Sequence, residues 1–434
     1  MLRKRIQLGL IHLAVAMTLV PINSTLNRIM IKELAISATL VAVMASLPYL
    51  VSPIQVAIGS FSDRHSLFGL HRTPYIVVGL LLCVGGVILS PQIAFILVDN
   101  FWLGLLIGIL AFGAWGIGYN LAAVAYLALA TELYEEKERG QTIAVMWTMM
   151  ILGIIFTAVT LGHLVDPYSE AALQRSFWIV GIAALIFGSL GMIRLESRST
   201  SDSKPSSDRQ SWSKMARAIL GNSQPRLFFI YLVILLAALL GQDILLEPFA
   251  AEAFDLSVRQ TTQITSFWGV FVMLALIITG WIERKLPKRQ IAYWGGWVAF
   301  LGFSLITISG IALSQILFYI GVLFLGLGTG VSTVSNLSLM LDMTVDGKVG
   351  MFIGAWGMAN AFSRFIGSVL GGIGRDLIAT LTGKPVIGYV VVFCVMAGFM
   401  LISIFMLMRI DVDTFKNQGE NPSVIERAAI AGDA

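Results

Sequence analysis

Charged residues are scarce in this 434-residue sequence. Asp, Glu, Lys and Arg make up 12% of it, against about a quarter in ordinary soluble proteins. The hydrophobic share is 57% and the mean hydropathy is +0.84. This composition excludes a soluble globular protein and predicts a chain that lies in a lipid bilayer. The net charge of +4 comes from Lys and Arg in short loops between apolar runs, so it gives no indication of nucleic-acid binding.

Cysteine and recognisable catalytic motifs are also scarce. The two cysteines, Cys83 and Cys394, both fall inside apolar runs. We interpret them as small buried hydrophobic residues rather than as a disulfide or a metal site. The sequence shows no nucleotide loop, metal cluster or catalytic triad, so we expect neither an enzyme nor a metalloprotein. The segments GIGYN and GLGTG lie inside apolar runs, which favours helix packing over phosphate binding.

The apolar runs predict an all-α integral membrane protein with twelve transmembrane helices. A span needs ~20 apolar residues, and we place the spans at about 6–27, 36–60, 74–98, 101–130, 141–163, 176–194, 226–247, 263–282, 291–312, 315–341, 350–373 and 386–408. Because no small-residue cleavage site follows the basic N-terminus, we expect the first span to be retained.

Two polar segments divide the chain. A Ser-rich, charged stretch at 195–225 separates a six-helix half at 1–194 from another at 226–410, and 411–434 is predicted to be a loose tail. We expect a surface amphipathic helix in this linker, near 212–220. Most of the 29 Lys and Arg residues fall on the side of the membrane that carries the N-terminus. This bias predicts that linker, tail and both termini are cytoplasmic.

The two halves contain similar segments at equivalent positions. ATELYEEKERGQTIAVMW, at 130–147, has a counterpart in MLDMTVDGKVGMFIGAW, at 340–356, and GSFSDR at Gly59 has one in GWIERK at Gly280. Two six-helix repeats around a cytoplasmic linker are typical of parallel-repeat secondary transporters.

A charged, glycine-punctuated loop, QVAIGSFSDRHSLFGLHRTPY at 55–75, joins the second and third predicted spans. Its Asp63 is placed to meet the positive end of a neighbouring helix, although a solvated turn would use the same residues. We also expect acids of the loop after the fourth span, which runs from Glu132 to Arg139, to pair with Arg64 or Arg72.

The same loop resembles the signature of the major facilitator superfamily. Extra residues between Arg64 and Gly69 depart from the pattern, and the signature positions are occupied by Gly59, Asp63, Arg64, Gly69, His71 and Arg72. The resemblance implies a fold of two six-helix halves in which this loop braces the bundle against helix 11.

Three further segments, NRIMIKEL, HRTPYIVVG and ALATELYEEKERG, are similar to the PucC/LhaA-type branch, the bacteriochlorophyll-delivery group. That resemblance implies a role in assembling light-harvesting complexes, with chlorophyll or bacteriochlorophyll as cargo and no covalently bound cofactor. The implied partners are the bilayer, the pigment, and antenna or photosystem polypeptides. The implied location is a bacterial inner membrane or a thylakoid.

The mechanism stays open at this point. A carrier would alternate access around a central cavity, whereas an assembly scaffold would hold pigment or a nascent antenna polypeptide on its lipid-facing surface. Sparse charge within the spans slightly favours the scaffold. The alternative from another class is an exporter of small lipophilic compounds unrelated to pigment.

Polar residues within spans are costly and are therefore candidates for function. In the superfamily's fold, helices 1, 4, 7 and 10 line the cavity, and a pigment offers a flat macrocycle whose magnesium takes a nitrogen or oxygen ligand. The same side chains could instead hydrogen-bond between helices. The candidates in these helices are His12, Asn23, Asn27, Trp115, Tyr119, Asn120, Gln242, Asp243 and Asn336.

Three charged residues in or near the spans need a specific explanation. Asp243 and Glu247, spaced i and i+4, are predicted to share one helix face. Since Pro248 follows Glu247, that carboxylate could mark a helix end in water, and Asp243 is the candidate for coupling or substrate contact. Arg364 requires a carboxylate, carbonyls or a wet cavity, and Asp342 is a possible partner.

Overall fold

The computed structural model describes residues 2–134, 136–196, 223–283, 285–343 and 349–411. Within these ranges the regular structure is helical, apart from one isolated bridge between Leu67 and Leu70. The predicted linker helix near 212–220 and the tail beyond residue 411 lie outside the described residues.

Among the described residues, eight α-helices lie before the linker. They are α1 (Leu2–Met17), α2 (Ala38–Ala45), α3 (Leu47–Leu50), α4 (Ile54–Arg64), α5 (Thr73–Asp99), α6 (Phe101–Leu133), α7 (Glu136–Leu164) and α8 (Glu170–Met192). The helices after the linker are α9 (Ser223–Gly241), α10 (Leu246–Phe254), α11 (Val258–Ile282), α12 (Lys288–Ala312), α13 (Gln315–Met343), α14 (Val349–Thr382) and α15 (Pro385–Leu407).

Eleven helical segments within the described ranges are long and apolar enough to cross a membrane, and each overlaps a predicted span. The remaining predicted span, at 36–60, is divided into α2, α3 and α4. Pro48 stands in the first turn of α3, and Pro53 immediately precedes α4. Proline lacks the N–H that would continue a helix, so it interrupts this span twice.

One compact unit comprises Met1–Pro205, Asp243–Gly269 and Ser368–Gly388. Within it, α1 lies against α7 and α8, and α5 runs along α6. The α5–α6 approach depends on glycine, because a Cβ at Gly79 would lie 2.7 Å from both Ala122 N and Gly118 O. Gly118 belongs to the GIGYN segment, so its predicted packing role is confirmed.

The second compact unit comprises Ser206–Gln242, Val270–Gly367 and Tyr389–Ala434. Here α12 runs along α13. A Cβ at Gly328, in the GLGTG segment, would lie 2.4 Å from Ala299 N, which confirms this second packing prediction. The domain boundaries predicted at 194, 225 and 410 stay predictions. They were placed from the repeat in the sequence, whereas the two compact units are defined by spatial contacts.

The outer helix faces carry large exposed apolar side chains, among them Trp102 at 76% and Ile316 at 74% exposure. Such a surface is suited to lipid. Cys83 is buried as predicted, but Cys394 is exposed. The prediction for Cys394 is wrong because it shares the outer face of α15 with exposed Val391 and Val395.

Candidate functional site

The first membrane helix widens before it ends. After α1, the segments Pro21–Leu26 and Ile29–Glu33 are π-helical, and the helical span as a whole runs from Leu2 to Glu33. Single π-helical turns are frequent at functional sites. Arg28, which the sequence placed in a loop beyond the span, is instead 4% exposed within it.

The chain is also broken around residue 243. Helix α9 ends at Gly241, a 3₁₀ turn covers Gln242–Ile244, and α10 begins at Leu246. Asp243 and Glu247 therefore do not share one continuous helix face, and that prediction is wrong. The placement of Glu247 at a helix end in water is wrong as well, because its side chain is 2% exposed.

Glu247 is held by hydroxyl groups from two other helices. Ser24 Oγ and Thr265 Oγ1 each donate to Glu247 Oε1 at 2.5 Å. Glu247 Oε2 is buried and has no hydrogen-bond partner among the described residues. Nearby, Asn27 Nδ2 donates to Ile244 O at 2.6 Å, which ties the first helix to the broken segment. We refer to Ser24, Asn27, Glu247 and Thr265 as the buried carboxyl cluster.

An ion-pair network lies at the same helix ends, opposite the N-terminus. Arg28 pairs with Glu33, and its NH2 donates to Leu256 O at 3.1 Å. Lys32 Nζ lies 3.3 Å from Glu252 Oε2, so a second cation of the first helix binds the end of α10.

The network continues into the 368–388 segment. Arg375 lies 3.7 Å from Glu252 Oε1 and 3.0 Å from Asp376 Oδ1. Asp376 Oδ2 accepts from Thr39 N at 2.8 Å and Thr39 Oγ1 at 2.7 Å, so it caps the start of α2. A carboxylate at this position is favourable because the first N–H groups of a helix lack internal partners.

A second polar centre braces the helix ends on the N-terminal side. Arg72 is 7% exposed; its Nε donates to Glu132 Oε1 at 2.9 Å, and its NH1 donates to Ser62 Oγ at 2.7 Å. The predicted pairing of Arg72 with an acid after the fourth span is thus confirmed. Glu196 accepts from the N–H groups of His71 and Thr73, each at 2.7 Å, and caps α5.

The structure describes some of the remaining predicted motif residues, in the loop and beyond it, but not the side chains of others. Arg64 is exposed, Gly59 is half-buried, and Gly69 has a φ of 76°, a left-handed conformation that favours glycine. The side chains of Asp63, Arg139 and Asp342 lie outside those that the structure describes, so the helix-end role of Asp63 and the Arg364–Asp342 pair stay predictions. Arg364 itself is half-buried in α14.

Two of the predicted cavity amides bind other helices. Asn120 Nδ2 donates to Pro48 O at 2.8 Å, across to the interrupted second span, and Asn120 Oδ1 accepts from Gln55. Asn336 Oδ1 accepts from the Tyr231 hydroxyl at 2.6 Å. These contacts agree with the interhelical interpretation of the amides.

The remaining candidate residues differ in how far their side chains are buried. His12 is 7% exposed, its ring centroid lies 4.9 Å from that of Tyr126, and its Nδ1 has no hydrogen-bond partner among the described residues. Trp115 is fully buried against Gly86. Gln242 is buried as well, while the half-buried candidates are Asn23, Tyr119 and Asp243. In the part of the chain that is described, no group of three or more His, Cys, Asp or Glu side chains could hold a metal ion.

An apolar groove lies on the surface of the first unit. Its volume is about 460 Å³, and its walls come from α1, α7 and α8, including Leu13, Met17, Phe156 and Phe187. Because these walls are apolar and belong to membrane-spanning helices, the groove is suited to a hydrocarbon chain.

Sequence reasoning assigned no site role to Arg28, Glu196 and Asp376, and it interpreted Glu247 as a helix end rather than as a buried site residue. Their partners are distant along the chain, as with Ser24 and Glu247, which are 223 residues apart. The available signal was the cost of charges so close to apolar runs: Arg28 directly follows a long uncharged run, and Glu247 directly follows a run in which Asp243 is the one other charged residue.

Comparison with known proteins agrees with this architecture. The family described as PUCC protein matches residues 25–415. "Protein PucC" of Rhodovulum sulfidophilum is 31% identical over 87% of this chain and 86% of its own length. The "Bacteriochlorophyll synthase 44.5 kDa chain" of Rhodobacter capsulatus is 28% identical over 86% of this chain and 87% of its own length.

Among solved structures, a bacterial homologue of the human lysosomal transporter Spinster superposes with a TM-score of 0.73 at 12% identity. The match covers 96% of this chain and 98% of that one. At this identity the likeness shows the fold alone, and it confirms the expected major facilitator fold.

Proposed function

This chain belongs to the PUCC protein family, and we propose from that premise that it carries a chlorophyll-type pigment through or within the membrane during assembly of light-harvesting complexes. The observation that carries the proposal is the family match over residues 25–415, together with a relative whose name refers to bacteriochlorophyll. The fold is that of membrane transporters, which fits a hydrophobic cargo that must not enter water.

The polar residues of the first unit support a carrier rather than a static scaffold. In a carrier, the ends of neighbouring helices have to move apart and come together again. The contacts between these ends therefore have to form and break reversibly. The Lys32–Glu252 and Arg375–Glu252 pairs are of this kind, because each joins segments distant in sequence through charged side chains. Buried or partly buried ion pairs are poor sources of net stability, so their presence calls for another explanation.

The proposed partners follow from the same premise. The pigment would be released to antenna or photosystem polypeptides in a photosynthetic membrane, with both termini of the chain in the cytoplasm. We further propose that the protein performs no covalent chemistry on the pigment and acts by binding and release.

The scaffold is the second candidate, and the apolar groove favours it. A groove of about 460 Å³ on the lipid-facing side could hold the hydrocarbon tail of a pigment without any transport cycle. In that case the ion-pair network would be purely structural.

Deleting the gene in its native organism tests the proposal. We expect the absorbance of assembled light-harvesting complexes to fall and to return when the wild-type gene is restored. Unchanged antenna absorbance would overturn the pigment role, and it would favour the exporter if the deletion also raised sensitivity to lipophilic compounds. Asp243→Asn and Arg364→Ala should each fail to restore assembly at normal protein levels if these residues contact the cargo or shift partners during the cycle.

A further inference from the structure

The carboxyl group of Glu247 is distinguished by its environment. It is buried at 2% exposure in the first turn of α10, directly after the break that separates α10 from α9. The neighbouring acids of the ion-pair network each have a cation: Glu252 binds Lys32 and Arg375, and Asp376 binds Arg375. Glu247 has hydroxyl partners instead.

The buried cation of the first helix, Arg28, is engaged with other partners. Arg28 lies one helical turn beyond Ser24 in the first helix. Its guanidinium, however, pairs with Glu33 and donates to Leu256 O. The groups that face Glu247 from the other elements are neutral: the Ser24 hydroxyl from the first helix and the Thr265 hydroxyl from α11.

The two carboxyl oxygens of Glu247 are not equivalent. Oε1 accepts two hydroxyl hydrogen bonds, whereas Oε2 is buried without a hydrogen-bond partner among the described residues. An ionised carboxylate with one bare oxygen would carry a large desolvation cost. A neutral carboxyl group avoids most of that cost, since Oε1 acts as the accepting carbonyl and Oε2 carries the hydrogen.

We propose that Glu247 is a proton-binding site, occupied when the helix ends around Ser24 and Thr265 are packed together as in this structure. The proton enters from water as Glu247 becomes buried and returns to water when the Ser24 and Thr265 contacts separate. This inference deepens the proposed carrier function, because it identifies a proton as the ion that moves with the cycle. Glu247, rather than Asp243, is then the coupling carboxylate.

Infrared difference spectroscopy on the purified full-length protein in mild detergent tests the proposal. Spectra at mildly acidic and mildly alkaline pH separate the carbonyl band of a protonated carboxyl group from the bands of ionised carboxylates. We expect the wild type to show a titrating protonated-carboxyl band, Glu247→Gln to lose it, and the control Glu252→Gln on the same helix to retain it. A band that persists in Glu247→Gln, or a wild type without such a band, would overturn the proposal.

Glutamine preserves the shape of Glu247 and the acceptor for both hydroxyls, so the variant should fold. If it does not, Ser24→Ala decides the question. Removing one donor to the carbonyl oxygen should move the titrating band to higher frequency, and an unmoved band would contradict the assignment. The measurement needs no pigment, so a proton site could be present even where the pigment role fails, and the two failures remain distinguishable.

Discussion

Single glycines set the distance between neighbouring helices in this chain. At Gly79 of α5, an added Cβ would lie 2.7 Å from backbone atoms of α6, which cannot rotate away. At Gly85 of the same helix, an added Cβ would have no neighbour within 4 Å. The two positions therefore form a matched pair in which the same substitution should have opposite effects.

Gly79→Ala should destabilise the protein by about 1–3 kcal/mol, because overpacking against fixed backbone must separate α5 from α6. Gly85→Ala should be neutral or stabilising by up to about 1 kcal/mol, the helix-propensity gain of alanine. Thermal unfolding of both variants in detergent, followed by circular dichroism, measures the difference. Equal midpoints for the two variants would show that the close α5–α6 contact is not formed.

Arg72 and Arg64, eight positions apart in one loop, make a second matched comparison. Arg72→Ala should lower stability by about 1–3 kcal/mol, because it removes the charged donor to the buried Ser62 hydroxyl and to the exposed Glu132 carboxylate. Arg64→Ala should stay within about 0.5 kcal/mol of the wild type, since Arg64 is exposed. The same unfolding measurement applies, and comparable losses in the two variants would argue against the brace.

Residue-level prediction succeeded where the side of the membrane limits the possible partners of a charged residue, and it failed where a residue's burial depends on how the helices bend and break. The pairing of Arg72 with Glu132 was predictable, because both border short loops on one side of the membrane. The burial of Glu247 was not, because Pro248 after it is equally typical of a helix end in water. The burial of Glu247 becomes evident only from the structure, in which the π-helical part of the first helix places Ser24 against Glu247.

At the scale of elements, hydropathy predicted nearly all of the helices, because a membrane-spanning helix has to be apolar along its whole length. Hydropathy predicted the positions of the helix ends less accurately. The first span continues to Glu33 because Arg28 finds Glu33 and Leu256 O as partners inside the protein. The eleventh continues to Thr382 rather than 373, since Arg375 and Asp376 are satisfied by Glu252 and Thr39.

The start of α2 and the 368–388 segment should move apart during a carrier cycle. Thr39 Oγ1 and Asp376 Oδ2 lie 2.7 Å apart, so cysteines at these two positions are neighbours whose oxidation to a disulfide can be tested. In a background in which Cys83 and Cys394 are replaced, Thr39→Cys with Asp376→Cys should support antenna assembly when reduced and block it when oxidised.

The reduced double variant is the control for losing the cap that Asp376 provides. Full antenna assembly with the crosslink in place, verified by the mobility of the oxidised protein, would contradict a carrier and favour the scaffold. Antenna absorbance under oxidising and reducing conditions is the measurement.

For the whole molecule, the major facilitator fold was predictable from the twelve apolar runs, the central linker and the glycine-punctuated loop. The structure adds two polar centres at opposite helix ends, one around Arg72 and one around Glu247 and Glu252. Neither centre resembles a pigment site. The proposed cargo therefore rests on family membership, and the mechanism rests on the residues that tie the helix ends together.

Purification in mild detergent from the native photosynthetic membrane is the direct test of whether the protein binds a chlorophyll-type pigment, as we propose. We expect the absorbance bands of such a pigment to elute with the protein at a constant ratio to it through successive columns. If the protein eluted without pigment absorbance and took up no added pigment, it would not be a pigment-binding protein.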